Sequence, residues 1–323
     1  MHAPQRLLRG LAAVLLCCAA SAQATTLTVT HWGQGMYGAP FAVALEKGYF
    51  KEAGLEVTGF MTSAGGGTTV RNAMASDIPY GEVALPAAIA AIQQGVPLTI
   101  VHGGVIGLAD LQWAALPDST FTKPAEMGGK TLGYSSPKSV TDMIATLALT
   151  EAGVIKDTKR TAVGSVSAGM TALREKAVDV VYITEPILSQ QKGKIRVAFR
   201  SDQIVPKMTQ TVGVVRTDYL KENGKTIRAI IEARRKGVEF LLANPDESAQ
   251  ILAKHYKLEP EVARSALATV MAEKDYWSPG RLDYTGMEEM LKGLRLVKAV
   301  DEGAFDWKKV TDEGFLPDDQ RGR

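Results

Sequence analysis

Three consecutive glycines at residues 65–67 stand between a run typical of a strand and a run typical of a helix, in the stretch MTSAGGGTTVRNAMASD at 61–77. Because glycine has no side chain, backbone amides in such a loop can approach a bound group closely. The helix that follows offers unpaired N–H groups and the positive end of its dipole. The stretch therefore favours a binding loop, although a flexible surface turn has the same composition.

A second polar loop, YSSPKSVT at 134–141, stands at another predicted junction between a strand and a helix. Ser135, Ser136, Ser139 and Thr141 supply hydroxyl groups there, and each of them is also a common turn or helix-capping residue. Two such loops facing each other would offer hydroxyls, backbone amides and two helix dipole ends to a ligand without a bulky basic side chain. The pair is thus typical of a two-sided binding site.

The motifs of common enzymes are incomplete in this sequence. Ser135 and Lys138 match S-x-x-K, but neither S-D-N nor K-T-G accompanies them, and SVSAG at 165–169 has serine where a nucleophile elbow has its first glycine. The glycine loop lacks the G-K-[ST] ending of a nucleotide-binding P-loop. His31, His102 and His255 do not form a local metal motif such as H-E-x-x-H. We therefore predict no catalytic residue, no metal ligand and no cofactor.

The first 24 residues have the pattern of a secretory signal peptide. Two arginines precede the apolar run LAAVLLCCAA, which is too short to span a bilayer, and Ala22-Gln23-Ala24 matches an A-x-A cleavage site. The residues before the cysteines are not the small ones that lipoprotein processing needs, so a lipid anchor is disfavoured without being excluded. We expect an exported, periplasmic protein.

Cleavage after Ala24 would remove Cys17 and Cys18, the only cysteines of the 323-residue chain. The mature protein could then form neither a disulfide nor a thiolate metal site. Cleavage would also remove Arg6 and Arg9 and lower the formal net charge from +2 to zero. Without a basic excess, we expect no binding to nucleic acid or to a membrane surface.

Runs with strand and helix periodicity alternate along the mature chain, which predicts βαβ units and a mostly parallel sheet with helices on both faces. The runs are TLTVTHW, the single amphipathic helix APFAVALEKGYFKEAG, LEVTGFMTS, GTTVRNAMASD, YGEVAL, PAAIAAIQQG and PLTIVHGGV. The pattern restarts after LQWAALPDSTFTKPAEMGG, with KTLGYSS, SVTDMIATLALTEAGV, RTAVGSV, SAGMTALREKA, VDVVYI and KIRVAF. Beyond about Gln203 the periodicity is helical almost throughout, with Ile227, Ile230, Ile231, Val238 and Leu241 on one face.

Several stretches together resemble one family, the ABC-importer substrate-binding proteins for nitrate, sulfonates, taurine and thiamine precursors. They are ALEKGYFKEAGLEV, GGGTTVRNAMASD, ALPAAIAAIQQGVPLTIV, MGGKTLGYSS, LREKAVDVVYITEP and ANPDESAQILAKHY. The resemblance covers most of residues 26–260. It implies a periplasmic-binding-protein type II fold, an α/β fold of two lobes that are joined by a two-stranded hinge and close over a ligand.

On this basis we predict a signal peptide at 1–24, a discontinuous first lobe at 25–110 plus 205–323, and a second lobe at 111–204. The hinge strands are expected near 105–113 and 200–212. Yeast-type pyrimidine synthases for thiamine share the family's fold, but they carry a cysteine-rich iron motif that a mature chain without cysteine lacks.

Ligands of open α/β sheets lie beyond the carboxyl ends of the strands, where loops run into helix N-termini. We therefore predict that residues from five such loops, and Tyr37 nearby, bind the ligand. They are Trp32, Gly33, Tyr37, Ser63, Gly65, Gly66, Gly67, Thr68, Pro86, Ser135, Ser136, Ser139, Thr141 and Glu185. Trp32 and Tyr37 are expected to form apolar walls, although Trp32 could equally be a core aromatic residue.

The charged residues of these loops leave the ligand's class open. Glu185 in the cleft would accept hydrogen bonds from an amine, amide or ring N–H, whereas Arg71 would pair with a carboxylate or sulfonate. Either side chain could instead be solvated, and alternation does not decide where Glu82 points. A small polar organic ligand such as a sulfonate, a carboxylate or a thiamine precursor is favoured over a bare oxyanion such as nitrate.

The predicted function is that of a non-catalytic, monomeric binding protein that delivers its small-molecule ligand to a membrane ABC permease and its ATPase. The alternative is an exported lyase or hydrolase on the same two-lobed scaffold.

Overall fold

The computed structural model describes residues 25–63, 66–205, 207–301, 303 and 305–322. The predicted signal peptide and Gly65 lie outside the described residues. No helix among the described residues combines the length and the apolar character needed to cross a membrane.

Ten strands are present in the described part of the chain. They are β1 (Thr25–Val29), β2 (Val57–Met61), β3 (Tyr80–Ala84), β4 (Leu98–Gly103), β5 (Leu111–Ala115), β6 (Thr131–Tyr134), β7 (Lys159–Ala162), β8 (Val180–Thr184), β9 (Arg196–Arg200) and β10 (Thr211–Arg216). They form two sheets of five, in the orders β2-β1-β3-β10-β4 and β7-β6-β8-β5-β9.

Helices connect most of these strands and make up the C-terminal region. They are α1 (Ala39–Glu46), α2 (Tyr49–Glu52), α3 (Gly66–Ala75), α4 (Leu85–Gln93), α5 (Val140–Glu151), α6 (Val166–Arg174), α7 (Ile187–Gln190), α8 (Ser201–Ile204), α9 (Thr217–Glu222), α10 (Gly224–Ala243), α11 (Pro245–Tyr256), α12 (Pro260–Met271) and α13 (Tyr284–Leu296).

Each sheet is mostly parallel and contains one strand that runs against the others. In the first sheet β1 is parallel to β2 and to β3, whereas β10 is antiparallel to β3 and to β4. In the second sheet β6 is parallel to β7 and β8, and β5 is antiparallel to β8 and β9. This architecture confirms the predicted two-lobed α/β fold.

The chain crosses between the two sheets twice. It leaves the first sheet after β4 and enters the second at β5, through residues 104–110, and it returns from β9 to β10 through residues 201–210. The second crossing lies within the predicted hinge range 200–212 and the first overlaps the range 105–113, whereas the exact lobe boundaries stay a prediction. Two C-terminal helices, α12 and α13, pack against α7 and α5 beside the second sheet, as well as against α11 and α4 beside the first.

The core positions that the hydrophobic pattern predicts for α10 are confirmed. The five predicted core positions of α10, from Ile227 to Leu241, are all buried. The helix α5 begins where the serine loop predicts, because the Ser139 hydroxyl accepts a hydrogen bond from the Asp142 amide and caps its first turn.

Two sequence predictions about elements are wrong. The single helix expected at 39–54 is two helices, because Gly48 between them has a left-handed backbone with φ of 75°. The chain beyond Gln203 is not helical at once, since β10 precedes the helices. Strand β10 is fully buried over Thr211–Val215 and β5 over its whole length, so neither shows the polar and apolar alternation of a half-buried strand.

Candidate functional site

The predicted binding loops all follow the carboxyl ends of parallel strands. Residues 31–35 follow β1, the glycine loop follows β2, and α4 follows β3 in the first sheet. In the second sheet the serine loop follows β6, and Glu185 follows β8. Parallel strands end at the same edge of their sheet, so each lobe gathers its loops at one edge.

The glycine loop is held by side chains at its borders. The Ser63 hydroxyl lies 2.9 Å from the Thr69 hydroxyl, and Thr68 accepts a hydrogen bond of 2.9 Å from the Arg71 guanidinium. A Cβ atom at Gly66 would lie 2.6 Å from Cβ of Ala87 in α4, whereas one at Gly67 would meet only the end of the Arg71 side chain at 3.7 Å. The close packing of α3 on α4 therefore requires glycine at position 66. At position 67 there is room for a side chain.

The serine loop is closed by its own hydroxyl groups. Ser135 donates to the Ser139 hydroxyl at 2.9 Å, and the Thr141 hydroxyl lies 2.7 Å from that of Ser135. Thr141 also accepts the Ser135 amide at 2.8 Å and is buried, whereas Ser136 is exposed. The side-chain partners of Ser135 among the described residues are thus neutral hydroxyls rather than a base.

Trp32 lies in an aromatic cluster with Phe60 and Tyr256. The centroid of its ring is 4.3 Å from that of Phe60 and 5.3 Å from that of Tyr256, in α11. The side chain is half-buried, which leaves part of it accessible beside Gly33. A Cβ atom at Gly33, where φ is 76°, would meet nothing within 4 Å.

Tyr37 is buried and connects the β1 side of the site to both chain crossings. Its hydroxyl donates to Oε1 of Gln210 at 3.0 Å, and Nε2 of Gln210 donates to Oδ1 of Asp110 at 2.8 Å. Asp110 lies on the first crossing and Gln210 on the second. We call Tyr37, Asp110 and Gln210 the crossover network.

The backbone carbonyls of Gln210 and Asp110 each accept a hydrogen bond from a predicted binding loop, one in each lobe. The Gln210 carbonyl accepts the amide of Leu85, the first residue of α4, at 2.9 Å, and the Asp110 carbonyl accepts the amide of Glu185 at 2.9 Å. Pro86 is buried in the first turn of α4 beside this contact. Asp110 and Gln210 are not among the site residues predicted from the sequence. Their one signal there is a polar residue inside an apolar run, in GLADLQW and in MTQTVGVV.

Asp110 is fully buried, and its environment favours the neutral acid. Burial raises the pKa of Asp110 from 3.8 to about 7, against the opposing effect of the hydrogen bond from Gln210. The Tyr276 hydroxyl lies beside Asp110 and also opposes the rise in its pKa, after the larger effect of Gln210. Asp110 also raises the pKa of Tyr37, after the larger effect of burial, and Tyr182 of β8 contributes to the same shift.

Glu185 is buried rather than open to solvent, with an exposed fraction of 1%. Its carboxylate accepts the amide and the hydroxyl of Ser189, each at 3.1 Å, and the Ser189 hydroxyl lies 3.0 Å from the Ser265 hydroxyl in α12. Burial raises the pKa of Glu185. Its role as a ligand acceptor stays a prediction, and in this conformation the carboxylate caps α7 and joins it to α12.

Glu82 points neither to the cleft nor to solvent. It is fully buried, and its Oε2 lies 2.6 Å from Nε of Arg234 in α10, while its Oε1 accepts the Thr211 hydroxyl at 2.8 Å. Arg234 donates further to the Ser278 carbonyl at 2.6 Å. The pair therefore ties β3, β10 and α10 together inside the first lobe and belongs to its core.

The described residues contain no group of three or more histidine, cysteine, aspartate or glutamate side chains that could hold a metal ion. The site consists of hydroxyls, backbone amides, aromatic rings and buried carboxyl groups with raised pKa values. Such a set can orient a small polar molecule by hydrogen bonds and cover its faces with rings.

Comparison with known proteins identifies sequence relatives. A family model described as "NMT1/THI5 like" matches residues 36–248. The formylaminopyrimidine-binding protein of Halalkalibacterium halodurans is 25% identical over 275 residues, which are 82% of this chain and 80% of that protein.

Solved structures share the fold at low sequence identity. The periplasmic nitrate-binding protein NrtA from Synechocystis PCC 6803 superposes with a TM-score of 0.75 at 16% identity, over 93% of this chain and 91% of that one. The periplasmic aliphatic sulphonate binding protein SsuA from Escherichia coli gives 0.70 at 16% identity, over 86% and 87%. The desulfurization enzyme DSZB gives 0.65 at 13% identity, over 90% and 97%, so both binding proteins and an enzyme use this scaffold.

Proposed function

The chain belongs to the NMT1/THI5-like family, and from that premise we propose that it is an exported solute-binding protein that captures a small polar organic ligand between its lobes and delivers it to an ABC permease. The observation that carries the proposal is the arrangement of the two sheets. Two chain crossings join them, and each sheet presents loops with hydroxyls and helix N-termini at the carboxyl ends of its strands.

Closure of the lobes is the proposed mechanism. A ligand that contacts the loops of both lobes stabilises the closed form, and the permease recognises that form. The Leu85 and Glu185 amides, each bonded to a carbonyl of one crossing, give the loops of both lobes a common support. The protein is expected to act as a monomer in the periplasm after removal of residues 1–24.

The ligand class is narrowed by the relatives and by the acids of the site. The Halalkalibacterium halodurans relative is named for formylaminopyrimidine, a molecule with ring nitrogens and N–H donors. Asp110 is a buried acid whose pKa is raised to about 7, so at neutral pH its ionised fraction would repel an anionic ligand. We therefore favour a ligand with N–H groups over a sulfonate, a carboxylate or nitrate.

An exported lyase or hydrolase is the competing function, and the structural likeness to the enzyme DSZB is what favours it. The serine loop argues against acyl transfer, because Ser135 is bonded to Ser139 and Thr141 and not to a base. The binding function is therefore preferred.

Native mass spectrometry of the purified mature protein tests the proposal. We expect a small molecule to be carried through purification, recovered unchanged, and to stabilise the protein when added back. At one hundred times its dissociation constant it should add about 2.7 kcal/mol to the free energy of unfolding. Chemical conversion of that molecule by the protein would support the enzyme instead.

A further inference from the structure

We propose that His31 binds the ligand by a hydrogen bond from the wall of the first lobe, and that this contact selects an uncharged polar group over an anion. The inference rests on the proposed function, because it assigns a specificity residue to the same cleft. His31 is not among the ligand-binding residues that the sequence predicts.

His31 stands at the mouth of the site. It lies two residues beyond the end of β1, which is flanked by β2 and β3. Its imidazole ring is 5.9 Å from the ring of Tyr37, whose hydroxyl donates to Gln210 in the crossover network. Tyr37 in turn is close enough to Tyr182 of the second lobe for Tyr182 to influence its pKa. His31 is thus on the side of the first lobe that faces the second.

The ring of His31 is exposed to solvent and yet surrounded by protein. The side chain is exposed, and loss of solvation nevertheless lowers its pKa from 6.5. A side chain on a flat surface keeps its ordinary pKa, whereas one on the wall of a cleft combines access with partial desolvation. Among the described residues its two ring nitrogens have no hydrogen-bond partner, so both are free for a ligand.

The backbone fixes the direction of this side chain. His31 has a left-handed conformation with φ of 51°, which is uncommon for a residue other than glycine. Its carbonyl accepts the amides of Gln34 at 2.9 Å and of Gly35 at 3.0 Å, and these bonds hold the turn. A residue kept in an unfavourable backbone conformation by its surroundings is common at binding sites.

The charge of His31 decides which ligand it suits. Burial is the cause of its lowered pKa, and no charged group contributes to the shift, so its surroundings favour the neutral imidazole. A neutral imidazole offers one donor and one acceptor and does not neutralise an anion. The cation beside the glycine loop, Arg71, is exposed and bonded to Thr68, so solvent screens its charge.

Isothermal titration calorimetry of the purified mature protein tests this inference, with formylaminopyrimidine, the sulfonate MOPS and nitrate as probes. The variants are His31→Ala, His31→Asn, Arg71→Gln and, as a control, Lys298→Asn. Asparagine tolerates the left-handed backbone and keeps a donor and an acceptor. Lys298 is an exposed residue with φ of 54°. Its replacement by asparagine therefore shows how relief of backbone strain, without any change in the site, affects the measured affinity.

We expect wild type to prefer formylaminopyrimidine, His31→Ala to bind it about tenfold more weakly, and His31→Asn to recover part of the loss. Lys298→Asn should bind like wild type. In nuclear magnetic resonance spectra the ring nitrogens of His31 should shift on binding.

Equal affinity of His31→Ala and wild type would overturn the role of His31 while leaving the binding function intact. A preference for MOPS or nitrate that Arg71→Gln removes would overturn the selection of a neutral ligand. If none of the three probes binds, the same variants are measured with the molecule recovered by native mass spectrometry. A protein that neither binds a probe nor carries a molecule contradicts the proposed function itself.

Discussion

The side-chain amide of Gln210 lies 2.8 Å from Oδ1 of Asp110, and this hydrogen bond joins the two segments by which the chain crosses between its sheets. Gln210 also donates to the Gly107 carbonyl at 2.6 Å and accepts the Tyr37 hydroxyl. The amides of Leu108 and Ala109 donate to Glu273. The first crossing is therefore bonded to the second and to the chain just beyond α12, so a change in lobe angle is expected to act on a few identifiable bonds.

Replacing Asp110 by asparagine should remove a pH dependence of stability. The pKa of Asp110 in the folded protein, about 7, lies above its ordinary 3.8. The folded state therefore binds more protons than the unfolded state between these values, and stability present below about pH 4 is lost as the pH rises through 7. Asp110→Asn cannot ionise, so its free energy of unfolding relative to wild type should rise by about 2–4 kcal/mol from pH 4 to pH 8.

Urea unfolding at several pH values measures this difference. His102 has the opposite effect, because burial lowers its pKa to about 3 and stability is lost as the pH falls from about 6.5; it is present in both proteins and cancels. Asp118→Asn, at an exposed position, serves as the control. A difference that does not change with pH would mean that Asp110 is ionised in the fold.

Replacing Glu82 by glutamine should strongly destabilise the first lobe. The change leaves the guanidinium of Arg234, which is 1% exposed, without its counter-charge. Breaking a buried ion pair from one side costs about 3–5 kcal/mol, whereas replacing both partners by apolar residues is often neutral. Chemical unfolding should therefore show a large loss for Glu82→Gln and a much smaller one for the double variant Glu82→Leu/Arg234→Met.

The ion pair of Lys47 and Glu247 is a surface control for the buried pair of Glu82 and Arg234, because the Glu247 side chain is 50% exposed. Glu247→Gln should cost below about 1 kcal/mol. A loss for Glu82→Gln as small as this would show that the buried charge is hydrated or repacked.

Alanine at the two described glycines of the glycine loop should separate packing from binding. Gly66→Ala places its methyl group 2.6 Å from Cβ of Ala87, so we expect a loss of about 1–3 kcal/mol in the free energy of unfolding. Gly67→Ala has room and should leave thermal stability nearly unchanged. If the loop binds the ligand, Gly67→Ala should still weaken the affinity measured by calorimetry, and unchanged affinity would remove Gly67 from the site.

The sequence predicts the fold and the positions of the loops better than it predicts contacts. Strand-to-helix junctions are local, so the glycine and serine loops and the cap at Ser139 could be located from residue types alone. The partners of Glu82 and Asp110 could not, because Arg234 and Gln210 are 152 and 100 residues away along the chain. The buried strands β5 and β10 lack a period-two pattern, so periodicity alone does not predict the strand that returns to the first sheet.

Trp32 shows a similar limit. Its place after β1 indicates a ligand wall, but its rings pack against Phe60 and against Tyr256, which comes from a helix more than two hundred residues later. His31, one residue earlier, is the more accessible side chain. It is distinguished by its left-handed backbone and by ring nitrogens without a hydrogen-bond partner among the described residues, and neither is visible in the sequence.

Ligand-induced closure is the central claim, and a distance between two spin labels tests it most directly. Cys17 and Cys18 are the only cysteines of the sequence, and a protein produced from Thr25 onward lacks both. Met61→Cys and Ala162→Cys would then introduce two unique sites, both exposed and at the ends of the outermost strands β2 and β7. With formylaminopyrimidine or the recovered ligand bound, we expect the distance distribution from double electron–electron resonance to narrow and shift to shorter values. An unchanged distribution, with binding verified by calorimetry on the labelled protein, would contradict closure of the lobes.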